Sequence, residues 1–232
     1  MPTSPPFHIV FALFPDVTHL DFTGPHQILC RLPGAQVVIA SEAGGEIEAD
    51  GLIFARVARL ADVEHCDLLC VPGGFGTTRA MADAAYLGEL RRLAAGARYV
   101  TSVCTGSLLL GAAGLLQGKR AACHWAWRDQ LALFGAIPDP ARVVRDGNVF
   151  TGGGVTAGVD FALTIAAEIA GLDVAQAIQL AVEYAPDPPF NAGRPDTAPP
   201  AVLERVQAIY ARGMDERWAA ARTAGEALLV GV

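Results

Sequence analysis

The segment Tyr99-Val-Thr-Ser-Val-Cys-Thr-Gly-Ser-Leu-Leu-Leu-Gly111 joins a β-branched run to a run of small and apolar residues. Residues 100–103 predict a buried strand, and residues 107–116 predict a packed helix. The chain must turn sharply at Cys104 between them, and such an elbow presents the nucleophile in α/β hydrolase-like enzymes. Because a helix N-terminus favours negative charge, we expect a thiolate at Cys104. The alternative is a cysteine that only fills space in the core.

The composition describes a compact protein without a charge-driven partner. Of 232 residues, 52% are hydrophobic and 18% charged, so the chain can bury a core without disulfides or a metal. The net charge of -7 gives no general attraction to nucleic acid or to an anionic membrane. No apolar run reaches the roughly 18 residues that a membrane span needs. The five cysteines form no Cys-x-x-Cys pair and, without a secretion signal, predict reduced thiols in the cytoplasm.

Strand and helix signals alternate along the chain. Strands are predicted at residues 7–14, 37–40, 68–71 and 100–103, with a β-excursion at 46–57 and a hairpin at 143–151. Helices are predicted at residues 25–31, 78–83, 85–95, 124–134, 156–170 and 174–184. This order predicts an α/β fold, a flavodoxin-like doubly wound sandwich whose mostly parallel sheet carries helices on both faces.

We expect a single domain over residues 1–232. Within it, residues 1–6 form an N-terminal tail, residues 186–200 a proline-rich surface segment, and residues 201–223 a C-terminal helix.

Two further segments carry candidate chemistry. Asp21 lies between Leu20 and Phe22 in a predicted loop after the first strand, and a carboxylate in apolar surroundings must be paired or protonated. The alternative for Asp21 is a helix cap. The loop Pro72-Gly-Gly-Phe-Gly76 follows the strand at 68–71 and allows backbone N–H groups to approach a ligand closely. As a phosphate motif this loop is weak, because it lacks a Walker lysine.

These segments together resemble the ThiJ/PfpI superfamily, which has a class I glutamine amidotransferase-like fold, and within it the enzymes that hydrate isocyanides. The resemblance extends over nearly the whole chain. It is carried by Leu20-Asp-Phe-Thr-Gly-Pro25, Pro72-Gly-Gly74, Ser102-Val-Cys-Thr-Gly-Ser107, residues 112–120, His124-Trp125, Val144-Arg-Asp-Gly-Asn148, Thr151-Gly-Gly-Gly154, Tyr184-Ala-Pro186 and residues 189–193.

The resemblance implies a homodimeric enzyme without metal or cofactor that adds water to R–N≡C and releases an N-substituted formamide. By the same resemblance, Cys104 is the nucleophile and Asp21 the acid and base, while Thr105 is a polar neighbour of the thiol. The thiolate would attack the terminal carbon to give a thioimidate, which water then hydrolyses. We expect the Gly73-Gly74-Phe75 turn to contact the substrate, with the N–H groups of Gly74 and Phe75 orienting the intermediate.

Other activities of the superfamily stay open at this point. Relatives that act on methylglyoxal carry a glutamate near the cysteine, and peptidases place a histidine directly after it, where this chain has Thr105. His124 is either a partner of the thiol or a residue at the start of a helix. A redox sensor that oxidises Cys104 is a further alternative. A helix-turn-helix regulator is not favoured, because we expect about one helix after Pro200.

Aromatic side chains are candidates for the wall of an apolar pocket, although each could equally belong to the core. They are Phe75, Trp125, Trp127 and Phe190.

Overall fold

Eight strands form the central sheet in this computed structural model, which describes residues 5–229. The sheet has the order β3-β4-β2-β1-β5-β6-β10-β9, and a separate pair is formed by β7 and β8. The strands are β1 (Phe7–Leu13), β2 (Ala35–Ser41), β3 (Gly45–Ala49), β4 (Leu52–Arg59), β5 (Leu68–Val71), β6 (Tyr99–Val103), β7 (Arg120–Ala121), β8 (Ile137–Pro138), β9 (Val143–Asp146) and β10 (Val149–Gly152).

Helices cover both faces of this sheet. They are α1 (Leu20–Leu29), α2 (Thr77–Ala80), α3 (Ala84–Gly96), α4 (Gly106–Ala112), α5 (Ala157–Ala170), α6 (Leu172–Ala181), α7 (Pro200–Ala211) and α8 (Met214–Leu229), with 3-10 helices at Leu60–Asp62 and Arg128–Phe134. The inner strands pair in parallel, and only β3 and β9 run antiparallel to their neighbours in the sheet. The predicted doubly wound α/β fold with a mostly parallel sheet is therefore confirmed.

The inner strands are apolar because both faces of the sheet are buried. Every residue of β5 and β10 is buried, and β1 contains one partly buried residue. The strand predicted at 68–71 is confirmed to the residue. The predicted hairpin at 143–151 is also confirmed, with Gly147 at φ +63° in its turn.

Several helix predictions were wrong in their bounds; those at 78–83 and 174–184 end three residues beyond α2 and α6. Helix α1 begins at Leu20, five residues before Pro25, because Thr18 and His19 supply carbonyl acceptors to the N–H groups of Asp21 and Thr23. The helix predicted over residues 124–134 is absent at 124–127, and a 3-10 helix follows at Arg128–Phe134.

The helix predicted over 201–223 is two helices. They are separated near Gly213, whose φ of +75° suits a glycine at a turn. The segment 186–200 lies on the surface as predicted. Residues 1–4 of the predicted tail lie outside the described residues, and the single domain stays a prediction.

The elbow at Cys104 requires close contact between α4 and the end of β5. A Cβ on Gly106 would lie well within 3.0 Å of the carbonyl oxygens of Val71 and Pro72, both of which are backbone atoms that cannot turn away. A residue with a side chain at this position would force the strand and the helix apart.

We therefore expect Gly106→Ala to lower the free energy of unfolding by about 1–3 kcal/mol. Gly88→Ala is the matched control, because Gly88 lies inside α3, where a Cβ would meet no atom within 4 Å, and the variant should gain up to about 1 kcal/mol from helix propensity. Urea unfolding of both variants measures this difference. Equal stability of the two variants would contradict the close contact.

Candidate active site

Loops that follow β1, β5, β6 and β10 meet at one edge of the sheet. Parallel strands place their carboxyl ends together, and α/β folds bind ligands at this edge. Two loops are joined directly, because Thr18 N–H donates to Gly73 O at 2.9 Å and Gly76 N–H donates to Asp16 O at 3.1 Å. The joined loops hold Asp21 of α1 against the start of the glycine turn.

Cys104 occupies the elbow in a conformation that few residues other than glycine adopt. Its φ is +58°, and its N–H donates to Gly152 O at 3.0 Å, which ties the elbow to the end of β10. The residue is only 5% exposed. Such a strained turn at the site of a nucleophile is the predicted elbow geometry.

Burial favours the protonated form of the Cys104 thiol. It raises the pKa of Cys104 well above its ordinary value, and the negative charge of Asp21 raises it further. The Thr105 N–H lowers this pKa, but the effect is smaller than that of burial. The direction of these shifts opposes the expected thiolate. The seven-residue helix α4 does not offset the loss of solvation around the sulfur.

Asp21 is fully buried in the first turn of α1. Its Oδ2 accepts a hydrogen bond from Gly73 N–H at 2.9 Å, while Oδ1 has no partner at hydrogen-bond geometry among residues 5–229. Burial raises the pKa of Asp21 from 3.8 to about 7, against the lowering effects of the Gly73 N–H and the Cys104 thiol. The carboxyl can therefore gain and lose a proton near neutral pH.

The Thr105 hydroxyl is fixed between the glycine turn and α2. Its Oγ1 accepts from Gly74 N–H at 2.9 Å and lies 2.9 Å from Thr77 Oγ1. A Cβ on Gly73 would lie 2.5 Å from both N and Oγ1 of Thr105, so the turn can approach the elbow only with glycine here. The amides of Gly73 and Gly74 are both hydrogen-bonded within the site, to Asp21 Oδ2 and Thr105 Oγ1.

His124 lines the same pocket as Cys104 and is a neutral imidazole. Burial lowers the pKa of His124 from 6.5 to about 4, and its Nδ1 accepts from Ala126 N–H at 3.3 Å. The proton of the ring therefore resides on Nε2. The ring packs between Trp127 and Tyr210, with centroid distances of 4.7 and 5.5 Å.

A pocket of about 550 Å³, measured out to its open mouth, contains the sulfur of the elbow. Its lining combines threonine hydroxyls, apolar side chains and an aromatic wall. The lining residues are Thr18, Gly74, Phe75, Thr77, Thr78, Met81, Cys104, Thr105, Leu108, His124, Trp127, Gln130, Val155, Tyr210 and Arg217.

Of the predicted wall residues, Phe75 and Trp127 line this pocket, whereas Trp125 faces a neighbouring groove and Phe190 is exposed on the surface segment. The sequence analysis missed Gln130, Tyr210 and Arg217. No local signal marks the last two, which reach the pocket from α7 and α8, about 100 residues after the elbow.

The arrangement can attack an electrophilic carbon and protonate it from the same side. A thiol and a carboxyl of raised pKa share a dry site, which is the pairing of nucleophile and base that covalent catalysis needs. Within residues 5–229, no group of three His, Cys, Asp or Glu side chains could hold a metal, and no helix is long and apolar enough to cross a membrane.

Comparisons with known proteins identify similar chains. A model of the DJ-1/PfpI family matches residues 8–168. The isonitrile hydratase of Pseudomonas putida is 54% identical over 200 residues, which cover 86% of this chain and 88% of that protein. A ThiJ/PfpI family protein from Pseudomonas syringae has a solved structure with a TM-score of 0.91 and 43% identity, covering 95% of this chain and 92% of that one. Drosophila melanogaster DJ-1beta superposes with a TM-score of 0.69 and 26% identity, covering 78% and 100%.

We expect the raised pKa of Asp21 to make the folded protein less stable as the pH rises. The unfolded chain loses this proton near 3.8 and the folded protein near 7, so the folded state binds more protons in between. The free energy of unfolding should fall from about pH 4 to about pH 7, by at most about 1.4 kcal/mol per pH unit. Asp21→Asn should remove this fall and be more stable than wild type at pH 8.

Urea unfolding at four pH values between 4.5 and 8 measures the effect. Asp173→Asn is the matched control, because Asp173 also lies in the first turn of a helix but is exposed. The same pH dependence in both variants would show that the carboxyl of Asp21 titrates as in the unfolded chain.

Proposed function

The chain belongs to the DJ-1/PfpI family, and we propose that it is an isonitrile hydratase, which adds water to R–N≡C and gives the N-substituted formamide. The high identity with the Pseudomonas putida isonitrile hydratase supports this activity. Its chemistry follows from one observation: the Cys104 thiol and the Asp21 carboxyl are buried in the same site, where burial raises the pKa of both.

In the first step Asp21 acts as a base and then as an acid. The ionised carboxylate takes the proton from the Cys104 thiol, and the sulfur forms a bond to the terminal carbon of the isocyanide. As this bond forms, one π pair of the C–N triple bond moves to the nitrogen, and the lone pair already on the carbon takes the proton back from Asp21. The product is a thioimidate, R–N=CH–S–Cys104, and the carboxylate is ionised again.

In the second step water replaces the sulfur. Asp21 takes a proton from the water as its oxygen attacks the thioimidate carbon, and passes this proton to the nitrogen. The resulting adduct, R–NH–CH(OH)–S–Cys104, breaks its C–S bond, and the hydroxyl proton returns to the sulfur through the same carboxyl. The formamide leaves and the thiol is restored, so one water has been consumed.

The glycine turn takes two roles in this proposal. The amides of Gly73 and Gly74 fix Asp21 and Thr105, and so they position the catalytic groups. Phe75 lines the pocket directly after these two glycines, which makes its amide the candidate for orienting the intermediate. Thr105 holds the turn against the elbow and acts as a positioning residue.

A redox-sensor function is less well supported. Thiols that oxidise readily are exposed and have a low pKa, whereas Cys104 is buried and has a raised pKa.

We also propose a homodimer in the cytoplasm. Helix α7 contains no buried residue and exposes Val202 and Ile209, so its apolar side chains have room for a second copy. The described cysteines are all free thiols, as a reducing compartment requires. Sedimentation equilibrium of the purified protein measures the dimer.

The purified protein should convert aryl and alkyl isocyanides to formamides, and Cys104→Ala should abolish this turnover because no other nucleophile lies at the elbow. Formamide is quantified by NMR, with methylglyoxal as the competing substrate class. Cys30→Ala is the control, since Cys30 follows α1 and does not line the pocket. Near wild-type turnover by Cys104→Ala, or conversion of methylglyoxal alone, would overturn the proposal.

The pH dependence of kcat/KM should depend on the proton shared by Asp21 and Cys104. Only protein with an ionised Asp21 and a protonated Cys104 can begin the reaction, so kcat/KM should fall about tenfold per pH unit below about pH 7, with an apparent pKa that belongs to the pair. Asp21→Asn should lower kcat about 10²–10⁴-fold and lose this limb of the profile. A flat profile in the wild type between pH 5 and 8 would contradict the assignment of Asp21 as base.

A further inference from the structure

The wall of the pocket contains one charged side chain. Arg217, from α8, is the only Asp, Glu, Lys or Arg among its lining residues, and the His124 ring in the same wall is neutral. The hydration of an isocyanide does not call for a fixed cation in the pocket wall. The position of this guanidinium therefore needs a separate explanation.

Arg217 lies over the aromatic part of the wall. Its Cζ is 5.2 Å from the centroid of the Phe75 ring and 5.4 Å from that of Trp127, within the range of cation–π contacts. Its Nη1 donates to the carbonyl oxygens of Tyr210 and Arg212, both at 3.3 Å. These bonds are long, and they use one of the three nitrogens of the guanidinium.

No carboxylate neutralises this cation within the described part of the chain. Six arginines form ion pairs there, and Arg217 is not one of them. An arginine that is half-buried without an acid loses solvation without regaining a charge partner. The planar fork of a guanidinium matches a carboxylate, which could satisfy it from the pocket side.

Arg217 could instead have only a structural role, which would predict different effects of its substitution. The two carbonyl contacts cap the end of α7, and the rings pack against the guanidinium, so the side chain also joins α7 and α8 to the pocket wall. A capping role predicts a loss of stability when Arg217 is changed, but no change in the preference between substrates of equal shape. The two roles can therefore be separated by experiment.

We propose that Arg217 determines specificity by binding a carboxylate on the R group, so that this enzyme prefers isocyanides that carry an acid. This inference rests on the proposed function. The isocyanide carbon is placed at Cys104, the body of R lies along Phe75 and Trp127, and the carboxylate pairs with the guanidinium at the mouth. The product of such a substrate with one methylene between its two groups is N-formylglycine.

The test compares substrates of nearly equal shape that differ in charge. The pairs are isocyanoacetate with isocyanoacetamide and 4-isocyanobenzoate with 4-isocyanobenzamide, which span two lengths. Wild type should prefer the carboxylate of at least one pair by about 10–100-fold in kcat/KM, chiefly through KM, as a charge-assisted hydrogen bond allows. Since the pair is partly exposed, 0.5 M NaCl should reduce the preference.

Arg217→Met should abolish this preference while keeping an apolar stem against the rings, and Arg217→Lys should retain part of it. Arg222→Met is the matched control, because Arg222 lies on the same helix over the ring of Trp218 and does not line the pocket. The control should keep the wild-type preference. Thermal unfolding of each variant reports any loss of the cap.

Two results would overturn the inference alone: equal kcat/KM for both members of both pairs in wild type, or equal slowing of both members in Arg217→Met. Failure to hydrate any isocyanide would instead overturn the proposed function. In that case, calorimetry with benzoate and benzamide still tests Arg217, which should bind benzoate more tightly in wild type than in Arg217→Met. Equal binding of benzoate by both proteins would overturn the inference there as well.

Discussion

The carboxyl of Asp21 is held out of water against the thiol of Cys104, and the surrounding loops are built to keep it there. Burial disfavours the charged form of either group, so the pair carries one exchangeable proton near neutral pH rather than a separated thiolate and acid. The proposed mechanism can therefore begin from a neutral thiol. In it, the base that activates the sulfur is the same group that later protonates the carbon.

Close backbone contacts make this burial possible. Gly73 lies so near Thr105 that no side chain fits, and Gly106 lies equally close to the carbonyl oxygens that end β5. Cys104 adopts a positive φ at this elbow and lines the pocket. Glycine is therefore required at both contact positions because no larger residue fits there.

Local sequence patterns predict much of this structure, whereas the other features depend on contacts between residues that are distant in the sequence. The buried strands, the elbow and the glycine turn each lie within a few residues, so periodicity and turn residues predict them. The start of α1 was missed because loop carbonyls extend the helix toward its N-terminus, to five residues before Pro25. The expected thiolate is opposed by burial, which local sequence does not reveal. Tyr210 and Arg217 could not be found, since only the packing of α7 and α8 brings them to the pocket.

The two ends of the pocket are supplied by different parts of the chain. Strand ends and their loops hold the reacting groups, where a shift of about an ångström would separate sulfur, carboxyl and substrate carbon. The C-terminal helices supply Tyr210 and Arg217 from outside this frame. Substitutions on α7 and α8 can therefore change which R group fits while the Cys104 and Asp21 pair keeps its geometry. Members of a family that share the same elbow can in this way act on different substrates, through changes in the helices that cover the pocket.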